Sequence, residues 1–268
     1  MRCAVVGHPV AHSVSPAIHR AAYRVLGLDW SYDAIDVEPG GLRTFVDELD
    51  ESWRGLSVTM PHKVDLSELG ETDETVELLG AANTWVRRDG RTIVRNTDVT
   101  GAGAALRSRG VTGVEKVVML GAGATARSVL AAAVQLGADE VIIMSRSRDR
   151  STEILELANR LGIRVAWLPF ESEPSRCDLM VSTVPAGSVM DRAEDLAAHA
   201  DAVFDVIYDP WPTPLTVAGE NAGITVIDGL DLLAGQAVDQ IRLMTGHDVP
   251  MDILRSTAQN ALAERARL

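Results

Sequence analysis

The chain has 268 residues, of which 46% are apolar and 24% charged, and this composition is typical of a folded globular protein. The length fits one large domain or two domains of about 100–200 residues each. Asp and Glu outnumber Lys and Arg by 38 to 25, and the net charge of −13 argues against nucleic acid or an anionic membrane as a partner. Two cysteines make neither a disulfide framework nor a zinc cluster. We expect a soluble cytoplasmic protein, because no segment has the pattern of a membrane helix or a signal peptide.

In the first third of the chain, short β-type runs alternate with helical segments, which predicts an α/β domain. Ser15 lies where a helix N-cap belongs, Gly27 lies where that helix stops, and Pro61 is expected to open a later helix. The pair Asp89-Gly90 is typical of a hairpin turn. The expected elements are strand 3–6, helix 16–26, strand 32–37, helix 41–49, strand 55–60, and a hairpin of strands 82–88 and 92–95.

From about residue 98 the pattern becomes a regular series of strands and helices, which predicts a doubly wound parallel sheet of the kind that binds dinucleotides. The expected strands are 116–120, 140–144, 164–169, 179–183, 202–206 and 225–228. Helices are expected at 99–109, 126–136, 232–245 and 251–267. We therefore predict two domains. Residues 1–98 with 229–268 form a substrate-binding and catalytic domain, and residues 99–228 form a dinucleotide-binding domain.

A glycine-rich segment follows the strand at 116–120 and matches the pattern G-x-G-x-x-A. Gly121 would make the tight turn, Gly123 would let the backbone approach a pyrophosphate, and Ala126 would allow close packing of helix on strand. The pyrophosphate would lie at the helix N-terminus, where backbone N–H groups are free. The alternative is an ordinary tight turn between a strand and a helix.

The next strand ends in Ser145 and Arg146, at the place where an NAD site usually carries an acidic residue. A carboxylate would repel a ribose 2′-phosphate, whereas an arginine would pair with it. The sequence therefore favours NADP over NAD. Arg148 and Arg150 are weaker candidates for the same contact, since both also fit a solvated charged loop.

Four short polar segments of the first domain lie at predicted strand ends or helix starts. In open α/β sheets, ligands bind outside the carboxyl ends of the strands. The groups present are short hydroxyls, amides, one lysine and one aspartate, which suit a small ligand rich in hydroxyl groups. The segments are 7–19, 57–63, 82–84 and 96–98.

These segments, with the glycine loop, residues 205–215 and Gln236, resemble the shikimate dehydrogenase family over essentially the whole chain. The family pattern includes G-x-P-x-x-H-S-x-S-P-x-x-H-N, S-V-T-x-P-x-K, N-T, N-T-D and D-x-x-Y-x-P-x-x-T-P-L. The resemblance implies reversible, NADPH-dependent reduction of 3-dehydroshikimate to shikimate, in aromatic amino-acid biosynthesis. The chain departs from the family pattern at Arg20, where Asn is usual, and at residues 145–147, where Asn-Arg-Thr is common.

The same resemblance implies a role for each site residue. Lys63 and Asp98 would be the catalytic pair, and Ser13 and Ser15 would bind the substrate carboxylate. Ring hydroxyls would be held by Thr59, Asn83 and Gln236, with Tyr208 close by. The implied cofactor contacts are Gly121, Ala122, Gly123, Ala124, Thr125, Ala126, Ser145, Arg146, Arg148, Thr183 and Gly229.

The chemistry is consistent with these roles. Hydride addition to a ketone makes an alkoxide, which needs a proton donor within reach. We expect Lys63 to donate that proton and Asp98 to orient it. Ser15 could also serve as a helix cap, and Asn83 and Asn96 could be turn residues that bond to their own backbone. We favour ligand contact for Asn83 and a structural role for Asn96.

Three other functions remain open at this point. The first is a quinate/shikimate dehydrogenase that uses NAD, which Arg146 disfavours. The second is a non-catalytic module that binds NADP or shikimate, which the presence of both Lys63 and Asp98 disfavours. The third is a related oxidoreductase acting on a folate or an amino acid. We expect no metal, because the spacing of His12, His19 and His62 fits no simple site and hydride transfer needs none. We expect a monomer or a homodimer.

Overall fold

The computed structural model describes residues 1–267, which divide into two units. The first unit comprises Met1–Gly101 and the described residues from Leu233 onwards, and the second comprises Ala102–Leu232. The predicted domain boundaries, after residues 98 and 228, lie a few residues before these divisions. None of the helices in the described part of the chain is long and apolar enough to span a membrane.

A five-stranded mixed sheet forms the first unit, in the order β2-β1-β3-β4-β5. The first three of these neighbours pair in parallel, while β3, β4 and β5 pair antiparallel. Asp89 and Gly90 both have positive φ, of 52° and 73°, as the tight turn between β4 and β5 requires, so the predicted hairpin is confirmed. The strands are β1 Arg2–Gly7, β2 Ser31–Asp36, β3 Trp53–Val58, β4 Thr84–Arg88 and β5 Arg91–Arg95.

The helices of the chain are α1 Ser15–Val25, α2 Leu42–Asp47, α3 Glu74–Leu79, α4 Thr97–Ser108, α5 Ala124–Gln135, α6 Thr152–Arg160, α7 Ala193–Ala198, α8 Pro214–Ala222, α9 Gly229–Thr245 and α10 Met251–Arg265. Most bounds differ from the predicted ones by one to three residues. The predicted helix at Pro61 is wrong, because turns and a short 3₁₀ segment, Asp65–Glu68, follow that proline. The carbonyl of Lys63 in these turns accepts from Ala82 N, outside the segment, at 2.8 Å.

The predicted N-cap role of Ser15 is also wrong. Helix α1 begins at Ser15 itself, and the residue before it, Val14, makes no capping bond through its side chain. Ser13 makes a side-chain bond at the start of the helix instead, since its Oγ accepts from Ser15 N at 3.3 Å. A turn in which Ser13 N donates to Val10 O at 2.9 Å places Ser13, and not Ser15, beside the free N–H groups of the helix.

A six-stranded sheet forms the second unit, in the order β11-β10-β9-β6-β7-β8, and every neighbouring pair is parallel. This order confirms the predicted doubly wound sheet, and its direction of winding reverses between β6 and β9. Ligands of such sheets bind at that reversal, beyond the carboxyl ends of the strands. The strands are β6 Lys116–Leu120, β7 Glu140–Ser145, β8 Arg164–Pro169, β9 Cys177–Ser182, β10 Ala200–Asp205 and β11 Thr225–Ile227.

Candidate active site

The most distinctive polar contact of the first unit joins Lys63 and Asp98. Lys63 lies in the turns after β3, and Asp98 lies in the first turn of α4. Lys63 Nζ donates to Asp98 Oδ2 at 2.5 Å, with the two side chains only 15% and 6% exposed. A charged pair held away from water in this way keeps a fixed geometry, as proton transfer to a reacting oxygen requires.

Asn83 holds the other oxygen of that carboxylate. Its Nδ2 donates to Asp98 Oδ1 at 2.9 Å and lies 3.4 Å from Gln236 Oε1. Its Oδ1 accepts from the backbone N of Thr97 at 2.8 Å and from Thr84 Oγ1 at 2.9 Å. The amide therefore has one orientation only, with its nitrogen toward Asp98.

The position of Gln236 depends on a close approach of α4 and α9. A Cβ added to Gly101 would lie 2.5 Å from Gln236 N, and one added to Gly235 would lie 2.5 Å from Gly101 O. Only glycines allow this approach, which brings Gln236 to the Asn83–Asp98 contact. Gln236 Nε2 is anchored by Leu233 O at 3.0 Å.

The remaining predicted substrate residues of this unit lie at the carboxyl ends of β1 and β3, two neighbouring parallel strands. Ser13 and Ser15 follow β1, and Thr59 follows β3 directly. Ser15 is buried, while Ser13 and Thr59 are half-buried. Hydrogen bonds also join Lys63 to Asp98, Asp98 to Asn83, and Asn83 to Gln236.

Two predicted residues have other surroundings. Asn96 bonds to backbone through both ends of its amide, donating to Ala81 O at 3.0 Å and accepting from Asp98 N at 3.1 Å. Asn96 therefore fixes the start of α4. Tyr208 belongs to the second unit, where it is half-buried in the loop after β10.

A cavity of about 340 Å³ lies at the reversal point of the second sheet. Its floor is the loop after β6, where Gly121 has a φ of +105° and an added Cβ would overlap Thr183 Oγ1. Gly123 has nothing within 4 Å of an added Cβ, so its face of the loop is open. Thr183 is held in place by a bond from its Oγ1 to Leu120 O at 3.1 Å.

Helix α5 begins at this cavity. Its N-cap is Gly123, which offers no side chain to the N–H groups of Ala124, Thr125 and Ala126 in the first turn. These groups and the helix dipole suit a pyrophosphate. Ala126 is fully buried, as close packing of helix on sheet requires.

Arg146 and Arg150 line the cavity, and Arg148 does not. The predicted contact of Arg148 with a cofactor stays a prediction, since Arg148 lies on the same loop but is not among the residues that line this cavity. The loop turns back after Ser147, whose carbonyl accepts from Ser145 Oγ and whose Oγ accepts from Arg150 N at 3.4 Å, so Arg150 returns to the side of Arg146. Among the described residues that line the cavity none is a carboxylate. With two arginines and no negative side chain, this part of the cavity fits a phosphate group.

Ser145, predicted as a cofactor contact, has close protein partners at this cavity. It lines the cavity, but its hydroxyl is occupied by Trp167 Nε1, which donates at 2.9 Å, and by Ser151 Oγ at 2.6 Å. Ser145 thus holds the arginine-bearing loop. Gly229 lies outside the cavity: a Cβ there would meet the backbone carbonyls of Val206 and Ile207 at 2.6 Å.

Comparison with known proteins places this arrangement in a family. Residues 5–85 match the shikimate dehydrogenase substrate binding domain. An NADP(+) shikimate dehydrogenase of Methanopyrus kandleri is 36% identical over 271 residues, covering 94% of this chain and 92% of the relative. This chain belongs to the shikimate dehydrogenase family.

Solved structures of shikimate dehydrogenases share the fold over nearly the whole chain. That of Mycobacterium tuberculosis has a TM-score of 0.89 at 34% identity, with 97% of this chain and 99% of the other covered. That of Thermus thermophilus, solved with NADP(H) and shikimate, has a TM-score of 0.83 at 31% identity, with 98% and 100% covered.

Three residues near the site are missed or underrated by reasoning from the shikimate dehydrogenase pattern. Arg150 is predicted only as an alternative, although it stands four residues after Arg146. The family pattern includes Thr84 only as the neighbour of Asn83, with no role of its own, and it does not include Gln240. Gln240 lies one helical turn after Gln236 on α9, and that spacing is the signal that could have found it.

Proposed function

We propose that this chain catalyses the reversible, NADPH-dependent reduction of 3-dehydroshikimate to shikimate. The observation that carries the proposal is the Lys63–Asp98 pair, with Asn83 on the second carboxylate oxygen, in a member of the shikimate dehydrogenase family. Relatives known as NADP(+) shikimate dehydrogenases match almost the entire chain.

In the proposed reaction, bound NADPH supplies a hydride to the ketone carbon, which leaves negative charge on the oxygen. Lys63 stabilises that charge and donates the proton. Asp98 holds the ammonium group through Oδ2 and orients it toward the reacting oxygen, while Asn83 fixes the carboxylate through Oδ1. In the reverse direction Lys63 accepts the proton of the substrate hydroxyl.

Substrate binding uses the remaining polar groups of the site. The hydroxyls of Ser13 and Ser15 bind the substrate carboxylate, and Thr59, Asn83 and Gln236 hold ring hydroxyls. Thr59 is half-buried, and the Gln236 carbonyl meets the Asn83 amide only at 3.4 Å, so both retain hydrogen-bonding capacity for a ligand. Contact of Tyr208 with substrate stays a prediction, as do a cytoplasmic location and a monomeric or homodimeric state.

Cofactor choice is proposed to depend on Arg146 and Arg150, whose guanidinium groups would pair with the 2′-phosphate of NADP. The backbone at Gly121 and Gly123 and the first turn of α5 would receive the pyrophosphate. Two arginines, and no carboxylate among the described lining residues, support NADP over NAD.

Initial rates of the purified protein on four pairs of reactants test the proposal. Shikimate or quinate is mixed with NADP or NAD, and the absorbance of the reduced nicotinamide is followed. We expect the highest rate with shikimate and NADP. A higher rate with quinate and NAD would contradict the proposal, and no turnover with either acid would favour a binding module.

A further inference from the structure

Behind Asn83 the first unit contains a chain of buried polar side chains to which the proposed reaction assigns no role. Each is 5% exposed or less. Burial of so many polar groups is costly unless each of them is hydrogen-bonded, so their arrangement is informative. The residues are His19 and Tyr32, Ser57 of β3, Thr84 of β4 and Gln240 of α9.

The partners of Gln240 fix the orientation of its side-chain amide. Its Oε1 accepts from Ser57 Oγ at 2.7 Å and lies 3.2 Å from His19 Nε2. Its Nε2 donates to Thr84 Oγ1 at 3.1 Å and faces Asn83 O at 3.4 Å. Because Asn83 O is a carbonyl and can only accept, the amide of Gln240 must present its nitrogen on this side.

Tyr32 and His19 support the other end of that amide. Tyr32 OH donates to Ser57 Oγ at 2.5 Å, so the Ser57 proton is free to point at Gln240. His19 stacks on Tyr32 with ring centroids 4.1 Å apart. Burial lowers the pKa of His19 to about 3, so its ring is neutral and offers a single N–H, to Gln240.

Thr84 continues the series of donors and acceptors from Gln240 to Asn83. A hydroxyl has one proton, and Asn83 Oδ1 can only accept, so the Thr84 proton points at Asn83 and its lone pair faces Gln240. With the bond from Thr97 N to the same Oδ1 at 2.8 Å, this bond holds Asn83 with its nitrogen toward Asp98 Oδ1. The bonded path from Gln240 to the catalytic pair runs through two side chains, Thr84 and Asn83.

We infer that Thr84 and Gln240 are positioning residues for the Lys63–Asp98 pair, acting through the orientation of Asn83 and without touching substrate. The inference rests on the proposed function, since it assigns catalysis to that pair. It explains why a fully buried threonine hydroxyl and a buried glutamine face each other between β4 and α9. Misplacement of a reacting group by about 1 Å can cost about 100-fold in rate.

The test compares Thr84→Val, which keeps the shape and removes the hydroxyl, with Thr84→Ser, which restores it. We expect T84V to lower kcat for shikimate by about 10- to 100-fold while KM for NADP changes less than about twofold. T84S should recover at least a third of the lost activity. Thr92→Val, the same change at the half-buried Thr92 of β5, is the matched control and should leave kcat within about twofold.

Several outcomes would overturn the inference. A T84V protein with wild-type kcat would do so, as would equal losses in T84V and T84S, which would assign the effect to packing. Folding is checked by thermal melting and by NADPH binding. If T84V does not fold, Gln240→Met carries the test, because it removes the same donor from the helix side, and wild-type kcat in Q240M contradicts the inference. An inactive wild-type protein would instead refute the proposed function, so the two failures are distinguishable.

Discussion

The polar groups around Asp98 in the first unit bond to one another, whereas the cavity of the second unit has an open glycine loop and two exposed arginines among its lining residues. Asn83, Thr84 and Gln240 are at most 2% exposed, and each uses its donors on a protein acceptor. Arg146 and Arg150 are exposed at the rim of their cavity. The groups of the first site hold one another in place, and the second site offers groups that a charged ligand would order.

This contrast explains which substitutions each site should tolerate. Removing a buried partner leaves another polar group unsatisfied, which costs about 1–3 kcal/mol and moves neighbouring groups. Removing an exposed arginine leaves the fold intact and changes only binding. Substitutions in the buried site should therefore have larger effects on turnover than those at the cavity rim have on binding.

The largest effect is expected for Asp98→Asn. This change keeps the size of the side chain but removes its charge and one of its two acceptor oxygens, so Lys63 and Asn83 can no longer both be held as they are. We expect kcat to fall by about 100-fold or more, with KM for NADP unchanged. Steady-state kinetics with both ligands varied is the measurement. A wild-type kcat in D98N would show that the pair does not act as described.

Arg146→Ala should change cofactor binding by about 10- to 100-fold, because a charge-assisted bond to phosphate contributes about 1.5–3 kcal/mol. KM for NADP should rise by that factor, and the value for NAD should stay within about twofold. Arg148→Ala is the matched control, since Arg148 is exposed on the same loop but does not line the cavity. Equal effects of R146A and R148A would mean that the loop contributes only general positive charge.

The two glycines of the loop after β6 should separate stability from binding. Gly121→Ala forces a side chain onto a φ of +105° and into Thr183, and we expect it to cost about 1–3 kcal/mol of unfolding free energy. Gly123→Ala meets no protein atom, so it should lower the melting temperature less and raise KM for NADP. Equal melting temperatures for G121A and G123A would contradict this account of the turn.

A further prediction concerns His19 and the dependence of stability on pH. Burial lowers its pKa to about 3, while a histidine in the unfolded chain titrates near 6.5. Above that pH both states are neutral. As the pH falls from about 6.5 toward 3, the unfolded chain binds a proton that the folded chain does not, so the free energy of unfolding falls.

Urea unfolding of wild type and His19→Asn at several pH values across that window measures this contribution. The variant should lose stability less steeply toward acid. Asp205 in the second unit has the opposite effect on stability. Burial raises its pKa to about 6, so its contribution to the free energy of unfolding falls as the pH rises from about 4 to 6. If the free energy of unfolding of H19N and of wild type changed in parallel with pH, the lowered pKa of His19 would be contradicted.

Local chemistry made much of this structure predictable. Alternating apolar runs indicate the strands of both sheets within one to three residues, and Asp89-Gly90 and Gly121 mark turns that need positive φ. Lys63 and Asp98 are identified because their segments resemble a known family pattern. Their contact, 35 positions apart in sequence, could only be seen in the structure.

What could not be predicted depends on partners distant in sequence. Turns follow Pro61 in place of the helix that this proline suggested, and the carbonyl of Lys63 accepts from Ala82 N, 19 positions later. Arg150 replaces Arg148 in the cavity because the loop turns back at Ser147. Thr84 gains its role only because Gln240 reaches it from a helix 156 positions later.

The account assigns catalysis to the first unit and cofactor binding to the second. Lys63→Ala, assayed for both turnover and cofactor binding, tests this assignment most directly. The account predicts that kcat for shikimate with NADP falls by about 10²- to 10⁴-fold, while the Kd for NADPH, measured by fluorescence titration, stays within about twofold. Near-normal turnover in K63A would contradict the role of Lys63 as proton donor. A loss of NADPH binding as large as the loss of turnover would contradict the separation of the two sites.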